Sequence, residues 1–194
     1  MNTEIRQEQI AAAALRLIAT DGLNKLSIAG VARRVGLVPS AIYRHFASKD
    51  QVIDTVLNHI ETMLLANVQT VCQETPHPLN RLRRLLFRHI RTIRENKAIP
   101  QVVFAEDVYN GHPERKTRVY AMITKYLGQV GEIIRQGQQQ GNIRTDCDAA
   151  TLALLFLGLI QPSAILWHMS SGHFDVTKFA EKAWIIFNQA IQPQ

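Results

Sequence analysis

Five polar side chains crowd one short stretch of this sequence: Ser40, Tyr43, Arg44, His45 and Lys49. Their types suit a nucleic-acid surface better than a reaction centre. A lysine ammonium and a tyrosine hydroxyl make good phosphate partners, which fix position without reading sequence. An arginine can donate twice to guanine O6 and N7, serine reaches a base edge, and the Ala41 methyl can meet a thymine methyl. Ile42 and Phe46, spaced i, i+4, would form the buried face of a short helix. Ser40, Ala41, Arg44 and His45 then lie opposite, with Tyr43 at the flank. His45 has a second reading as a buried structural donor, and only geometry separates the two. Ser27, at the start of the preceding helix, joins these residues as a candidate DNA contact.

Such a face needs elements to hold it, and the surrounding residues supply three helical patterns from Ser27 to Asp50. Ser27 can cap a helix with Ile28, Val31, Ala32 and Val35 inward, and Gly36 can end it in a left-handed conformation. Pro39 suits the first position of the second helix, because its missing amide hydrogen would be orphaned there anyway. It also pushes Val38 into extended geometry. Ser48 starts a third helix, with Gln51 placed to complete a capping box. Helix, glycine turn and short helix with a polar outer face make a helix-turn-helix, whose second helix enters the DNA major groove.

At these residues the chain resembles the TetR (tetracycline-repressor-like) family of transcriptional regulators. The matching run is Ser27, Ile28-Ala29, Val35-Gly36-Leu37, Ile42-Tyr43-Arg44-His45-Phe46 and Lys49-Asp50. Two departures stand out: Val35 where the family usually has Ala, and Val38-Pro39 where it often has a Ser cap. The first is conservative, and the second exchanges a side-chain cap for a proline start. The resemblance is specific over the first quarter of the chain.

The 194 residues, 46% of them hydrophobic, are ample for a core and unlike a disordered composition. A formal net charge of +6 favours a polyanionic partner. Cys72 and Cys147 are isolated, which reads as reduced thiols rather than a disulfide framework. Met1 is followed by polar residues, so no secretory signal is expected. The longest apolar run, Leu152 to Ile160, is too short to cross a bilayer. The expectation is a cytoplasmic protein with no membrane partner.

Helical periodicity covers the rest. Ile10, Ala13, Ala14, Leu17 and Ile18 mark a first helix ending at Asp21-Gly22. Arg6 and the residues before it read equally as an arm reaching DNA phosphates or a frayed terminus. From Ser48 one long helix should run to the break at Pro76 and Pro78. The next, Leu79 to Asn96, carries Leu82, Leu85, Leu86, Ile90 and Ile93 inward among Arg81, Arg83, Arg84, Arg88, Arg91 and Arg94. Those arginines could form a second nucleic-acid surface, but a solvated, salt-bridged face explains them better. Pro100 should open a short helix ending near Asn110-Gly111, and Pro113 or Glu114 a long one stopped by Gly141. Asp146 or Asp148 can cap a helix from Ala149 to Met169, apolar nearly all round and so expected to be buried on several sides. The last helix, Val176 to Ile191, would turn Phe179, Ala183, Ile186, Phe187 and Ala190 inward. No strand pattern and no internal repeat appear, so the fold class is all-α.

Other chemistry finds no support in the pattern. The seven histidines are scattered without metal-ligand spacing, and no phosphate loop or nucleophile signature is present. Glu106 and Asp107 would point in different directions from one helix. No catalytic residue, metal or cofactor is therefore expected.

The family resemblance implies a small-molecule effector bound in the C-terminal helices. Phe104, Tyr109, Tyr120, Ile123, Tyr126, Phe156, Trp167 and His168 are the candidates there, although core packing explains any one of them alone. A single short recognition helix covers few bases, so a homodimer on a near-palindromic operator is expected. Its interface would use Gly158, Gln161, Ile165, Met169, Ala183, Ile186 and Ala190 of the last helices. The combined reading is a DNA-binding domain over residues 1–50 and an effector-binding, dimerising domain over 51–194. It describes a one-component regulator of transcription, a repressor released from double-stranded operator DNA by a largely apolar effector. Two rivals stand beside it: a helical enzyme or carrier of an apolar metabolite with a vestigial head, and a sequence-nonspecific DNA-packaging protein.

Overall fold

The computed structural model describes the backbone of residues 3–193 and the side chains of 7–193. Arg6 and the residues before it, read above as a DNA-reaching arm, lie outside the described side chains. Among the described residues there are helices and no strands: α1 (Thr3–Asp21), a 3-10 turn (Leu23–Lys25), α2 (Ile28–Arg34), α3 (Pro39–Tyr43), α4 (Lys49–Glu74), α5 (Pro78–Glu95), α6 (Ile99–Val103), α7 (Glu106–Tyr109), α8 (Pro113–Gln139), α9 (Ala149–Gly158), α10 (Gln161–Met169) and α11 (Val176–Ile191). They pack into two units, one of residues up to Met63 with Glu95–Val119, the other of Leu64–Arg94 with the residues from Tyr120 onward. Each is described by itself.

In the first unit the local signals act as their chemistry requires. Ser27 Oγ accepts from the Gly30 amide at 3.1 Å, and Gly36 takes φ 70° where α2 ends. Val38 is extended and Pro39 opens α3. Ser48 Oγ accepts from the Gln51 amide at 3.3 Å, while Gln51 Oε1 accepts from the Ala47 amide at 2.8 Å. The capping box thus reaches one residue further back than the usual pattern, which returns to the cap residue itself. Gly30 lies where α2 meets α1; a Cβ there would stand 2.9 Å from Leu17 Cδ2 and would make that side chain shift. Ile10, Leu17, Ile18, Val31, Ile42, Phe46, Val56 and Ile60 are all buried. At about 1.5–3 kcal/mol for each large side chain withdrawn from water, α1 and α4 add burial that two short helices lack alone.

The second unit is built on one apolar core running from Val68 and Leu82 through Ile133, Phe156 and Trp184 to Ile191. Two of its helices start on aspartate caps. Asp148, rather than Asp146, caps α9 by accepting from the Ala150 and Thr151 amides at 3.0 and 2.9 Å. Asp146 instead pairs with Arg144. Asp175 caps α11 by accepting from the Lys178 amide at 2.9 Å.

Several expectations need correction. The stretch opened by Pro100 is two short helices, α6 and α7, interrupted at Phe104 and Ala105. The helix from Ala149 to Met169 is broken between Gly158 and Gln161, where Pro162 offers no amide hydrogen to continue the ladder. It is also not enclosed, for Leu154, Leu155, Ile165, Leu166 and Met169 are exposed. In α11, Phe179, Ile186 and Ala190 likewise face outward, while Ala183 and Phe187 are buried. Taken across its break, Ala149–Met169 is 21 residues long and, by length and composition only, apolar enough to cross a bilayer. Phe156, Leu157, Ile160 and Ala164 of the same stretch sit in the protein's own core, the usual situation of an apolar helix packed on neighbours.

Candidate nucleic-acid interface

The two faces of α3 are sharply different. Ile42 is 0% exposed and Phe46 2%, whereas Tyr43 is 57% exposed and Val38, just ahead of the helix, 63%. Ser40 and Arg44 are exposed, and His45 and Lys49 are partly so. The Arg44 guanidinium and Tyr43 hydroxyl have no hydrogen-bond partner among the described residues. They stand ready for an external one. Ser27 is exposed but already accepts the Gly30 amide.

Ala41 requires a correction. It is 5% exposed, with its methyl turned into the core, so it cannot meet a thymine methyl. A five-residue helix turns only a little more than once, and Ala41, adjacent to Ile42, falls within its buried arc.

Cationic side chains missed by the motif lie close in sequence. Arg33 and Arg34 form the exposed last turn of α2, and Lys25 ends the 3-10 turn. Arg34 Nη1 donates to Thr20 Oγ1 at 3.4 Å. The only signal available in the sequence was their polarity at the outer positions of an amphipathic turn.

The first turn of α4 is held by an ion cluster around a buried arginine. Arg115, 2% exposed, donates from Nε to Asp54 Oδ1 at 2.8 Å and from Nη2 to Asp50 Oδ1 at 3.0 Å. Nη2 and Nη1 also donate to the carbonyls of Asp50 and Val108 respectively. His112 lies between Asp50 and Glu114, at 3.2 and 2.9 Å. Arg115's hydrogen bond and charge hold the Asp50 carboxyl below the usual carboxylate range. The sequence offered no hint of this cluster, because its two halves, Asp50 with Asp54 and His112 with Glu114 and Arg115, are more than fifty residues apart.

The candidate effector residues fall in both units. In the first, Phe104 is 49% exposed and the Tyr109 hydroxyl donates to the Val103 carbonyl. In the second, Tyr126, Phe156 and Trp167 belong to the common core, with Ile123 packed against it. Tyr126 Oη lies 3.1 Å from His89 Nδ1, with the two rings edge to face. Burial raises the Tyr126 pKa and lowers that of His89 to about 4, so both are neutral. Tyr120, 72% exposed, and His168 are not in that core. Of the candidate interface residues, Gly158, Ile165, Met169, Ile186 and Ala190 are exposed, Gln161 is partly exposed, and Ala183 is buried. Ala183 is therefore closed to a partner, because it packs inside its own unit. No cluster of metal-ligating side chains occurs among the described residues.

Two family models match the chain. Residues 10–56 match the bacterial regulatory proteins of the tetR family, and residues 75–191 match the tetracyclin repressor-like C-terminal domain. The nucleoid occlusion factor SlmA of Sodalis glossinidius is 24% identical over 156 residues, spanning 80% of this chain and 79% of its own. The solved fatty acid degradation regulator FadR of Bacillus halodurans superimposes with a TM-score of 0.82 at 16% identity, covering 97% of both chains. FadR of Bacillus subtilis, solved in complex with stearoyl-CoA, gives 0.79 at 18%, covering 95% of this chain and 98% of that one.

Proposed function

The chain belongs to the TetR family of bacterial regulatory proteins, DNA-binding regulators of transcription with a helical C-terminal domain, and we propose that it represses transcription as an effector-released homodimer. The observation that carries this reading is the outer face of α3: Ser40, Tyr43 and Arg44 are exposed while Ile42 and Phe46 hold the helix from behind. In the proposal Arg44 and Ser40 read base edges, Val38 replaces Ala41 against a thymine methyl, and Tyr43, His45 and Lys49 contact phosphates and adjoining groups. Ser27, the cap of α2, is a further contact in this proposal. Residues 1–50 form the reading head, and 51–194 carry effector binding and dimerisation. The protein works in the cytoplasm, where its operator is, and performs no catalysis.

Support for a dimer comes from the apolar side chains left in water on the last helices. Leu154, Leu155, Ile165, Leu166, Met169, Ile185 and Ile186 are each more than two-fifths exposed. That much uncovered apolar surface marks an association face. Two copies would present two recognition helices to successive major grooves of a near-palindromic site. The effector is a largely apolar small molecule bound among the C-terminal helices, with Tyr126, Phe156 and Trp167 near it. Likeness to fatty acid regulators makes acyl-CoA esters the first compounds to try.

The test is selection of binding sites from random duplexes with the purified protein, followed by gel shift on the selected sequence. A near-palindrome bound far more tightly than shuffled DNA, and released by an acyl-CoA or by a compound extracted from the protein, is the expected result. Enrichment of no sequence would sink the regulator in favour of a DNA-packaging protein. Turnover of the extracted compound would favour the enzyme.

A further inference from the structure

The arginine stripe of α5 is not absorbed by operator recognition. Arg83, Arg84, Arg88 and Arg91 follow one another along a single side of the helix, and with Glu74 and Phe87 they line an open groove of about 500 Å³. Glu74, in the last turn of α4, accepts from Arg84 Nη1 and Arg88 Nη1, one oxygen for each, both at 3.1 Å. The groove thus already holds one carboxylate between two arginines a turn apart. Its other charges are unanswered. The Arg83 guanidinium lies 5.9 Å from the centre of the Phe87 ring. Arg91 is exposed and has no carboxylate partner among the described residues. Arg88 Nε is buried with no acceptor. From Arg83 to Arg91 the helix axis rises about 12 Å, the span of about four extended residues. Phe87 sits midway and offers an apolar surface between the charged ends.

We infer that this groove binds a short acidic segment of a partner protein, extended along α5, with carboxylates toward both ends and an apolar side chain over Phe87. The chemistry of the lining selects that occupant. Guanidinium groups can pair with carboxylates through two parallel hydrogen bonds, and Glu74 shows that the arginines of this groove accept a carboxylate, there with one oxygen to each of two. Phosphates of duplex DNA would answer the charge but leave Phe87 facing water. A single exposed pair contributes little, so affinity depends on several pairs acting with the apolar centre. The inference is independent of which operator the head reads.

The experiment uses the full chain and a fluorescein-labelled peptide, Asp-Glu-Leu-Phe-Glu-Asp, followed by fluorescence anisotropy at low and physiological salt. Its Asn/Gln counterpart is the control. The acidic peptide should bind at least roughly tenfold more tightly than the control, and Arg84→Gln with Arg91→Gln should remove most of that difference. Arg84→Lys with Arg91→Lys keeps the charge but not the paired geometry, and should retain only part of it. Phe87, which also packs against the core, is tested by Phe87→Leu: it should weaken both peptides while helix content stays at the parent value. Equal binding of the two peptides, or no change in the arginine variants, overturns the inference. So does displacement of the peptide by an equal concentration of random duplex or of coenzyme A, which would assign the groove to phosphates.

Discussion

Arg115 Nη2 donates to both the carboxylate and the backbone carbonyl of Asp50, at 3.0 and 3.1 Å. Asp50 directly follows Lys49, so this contact sets the start of α4 next to a residue proposed to meet phosphate. Burial disfavours the guanidinium charge, but hydrogen bonds to Asp54 and Asp50 outweigh it and raise the Arg115 pKa. A buried charge of this kind is tolerated because four of its five N–H donors have acceptors, two of them carboxylates. Its value lies in position more than in net stabilisation.

Removing Arg115 should therefore cost more than removing either partner. Arg115→Met leaves two carboxylates and two carbonyls without their donor, and should destabilise by about 2–4 kcal/mol. Asp50→Asn keeps the Asp54 pair, and the Asp50 side chain is 48% exposed, so about 1 kcal/mol is expected. Urea unfolding of both variants checks the order. Equal losses would mean that Arg115 depends on Asp50 alone.

On DNA, Arg44 and Lys49 should behave differently. Arg44→Ala should cost roughly 1–3 kcal/mol on the selected operator and relax one base pair of each half-site. Lys49→Ala should weaken all sequences alike and lower the salt slope by about one. Gel shifts on operator and random duplex across salt concentrations separate the two. The assignment fails if both variants lose equally on both DNAs.

His89 gives a pH dependence of known sign. Its folded pKa of about 4 lies below the unfolded value of 6.5, because burial opposes its charge. As pH falls from 6.5 toward 4 the unfolded chain takes up a proton that the folded chain refuses, so stability is lost over that window. The loss approaches about 3 kcal/mol near pH 4. His89→Gln, which cannot titrate, should flatten this part of the profile while still offering Tyr126 a polar partner. Urea midpoints at pH 7 and pH 4.5 are the measurement, and an unchanged slope would remove His89 from the account.

The exposed apolar face predicts the state of assembly. Met169 is 76% exposed and Ile186 68%, so a charge at either costs the folded monomer little. In a dimer the same charge would be buried without a partner, at several kcal/mol. Met169→Asp with Ile186→Asp should give a folded monomer in sedimentation, with operator affinity greatly reduced. A variant that remains dimeric and binds normally would place the interface elsewhere.

Much of this architecture was legible in the chain because its signals are local. Ser27, Gly36, Pro39 and Ser48 each act through hydrogen bonds or dihedral limits within a few residues, and each stands where its chemistry put it. Ile42 and Phe46 followed from helical periodicity. Ala41 did not, because on so short a helix the boundary between inner and outer face depends on what packs behind it.

What the sequence alone determined was the all-helical class, the helix-turn-helix and its polar face, since propensity, capping and periodicity need no distant partner. Tertiary structure decided the rest. It brought Arg115 to Asp50 across sixty-five residues, and His89 to Tyr126 across thirty-seven. It also decided which apolar side chains of Ala149–Met169 are covered and which remain in water. A helix that is apolar all round carries no internal record of its buried side. Only the shape of its neighbours chooses the face to be covered, and that choice is a property of packing rather than of the helix's own residues.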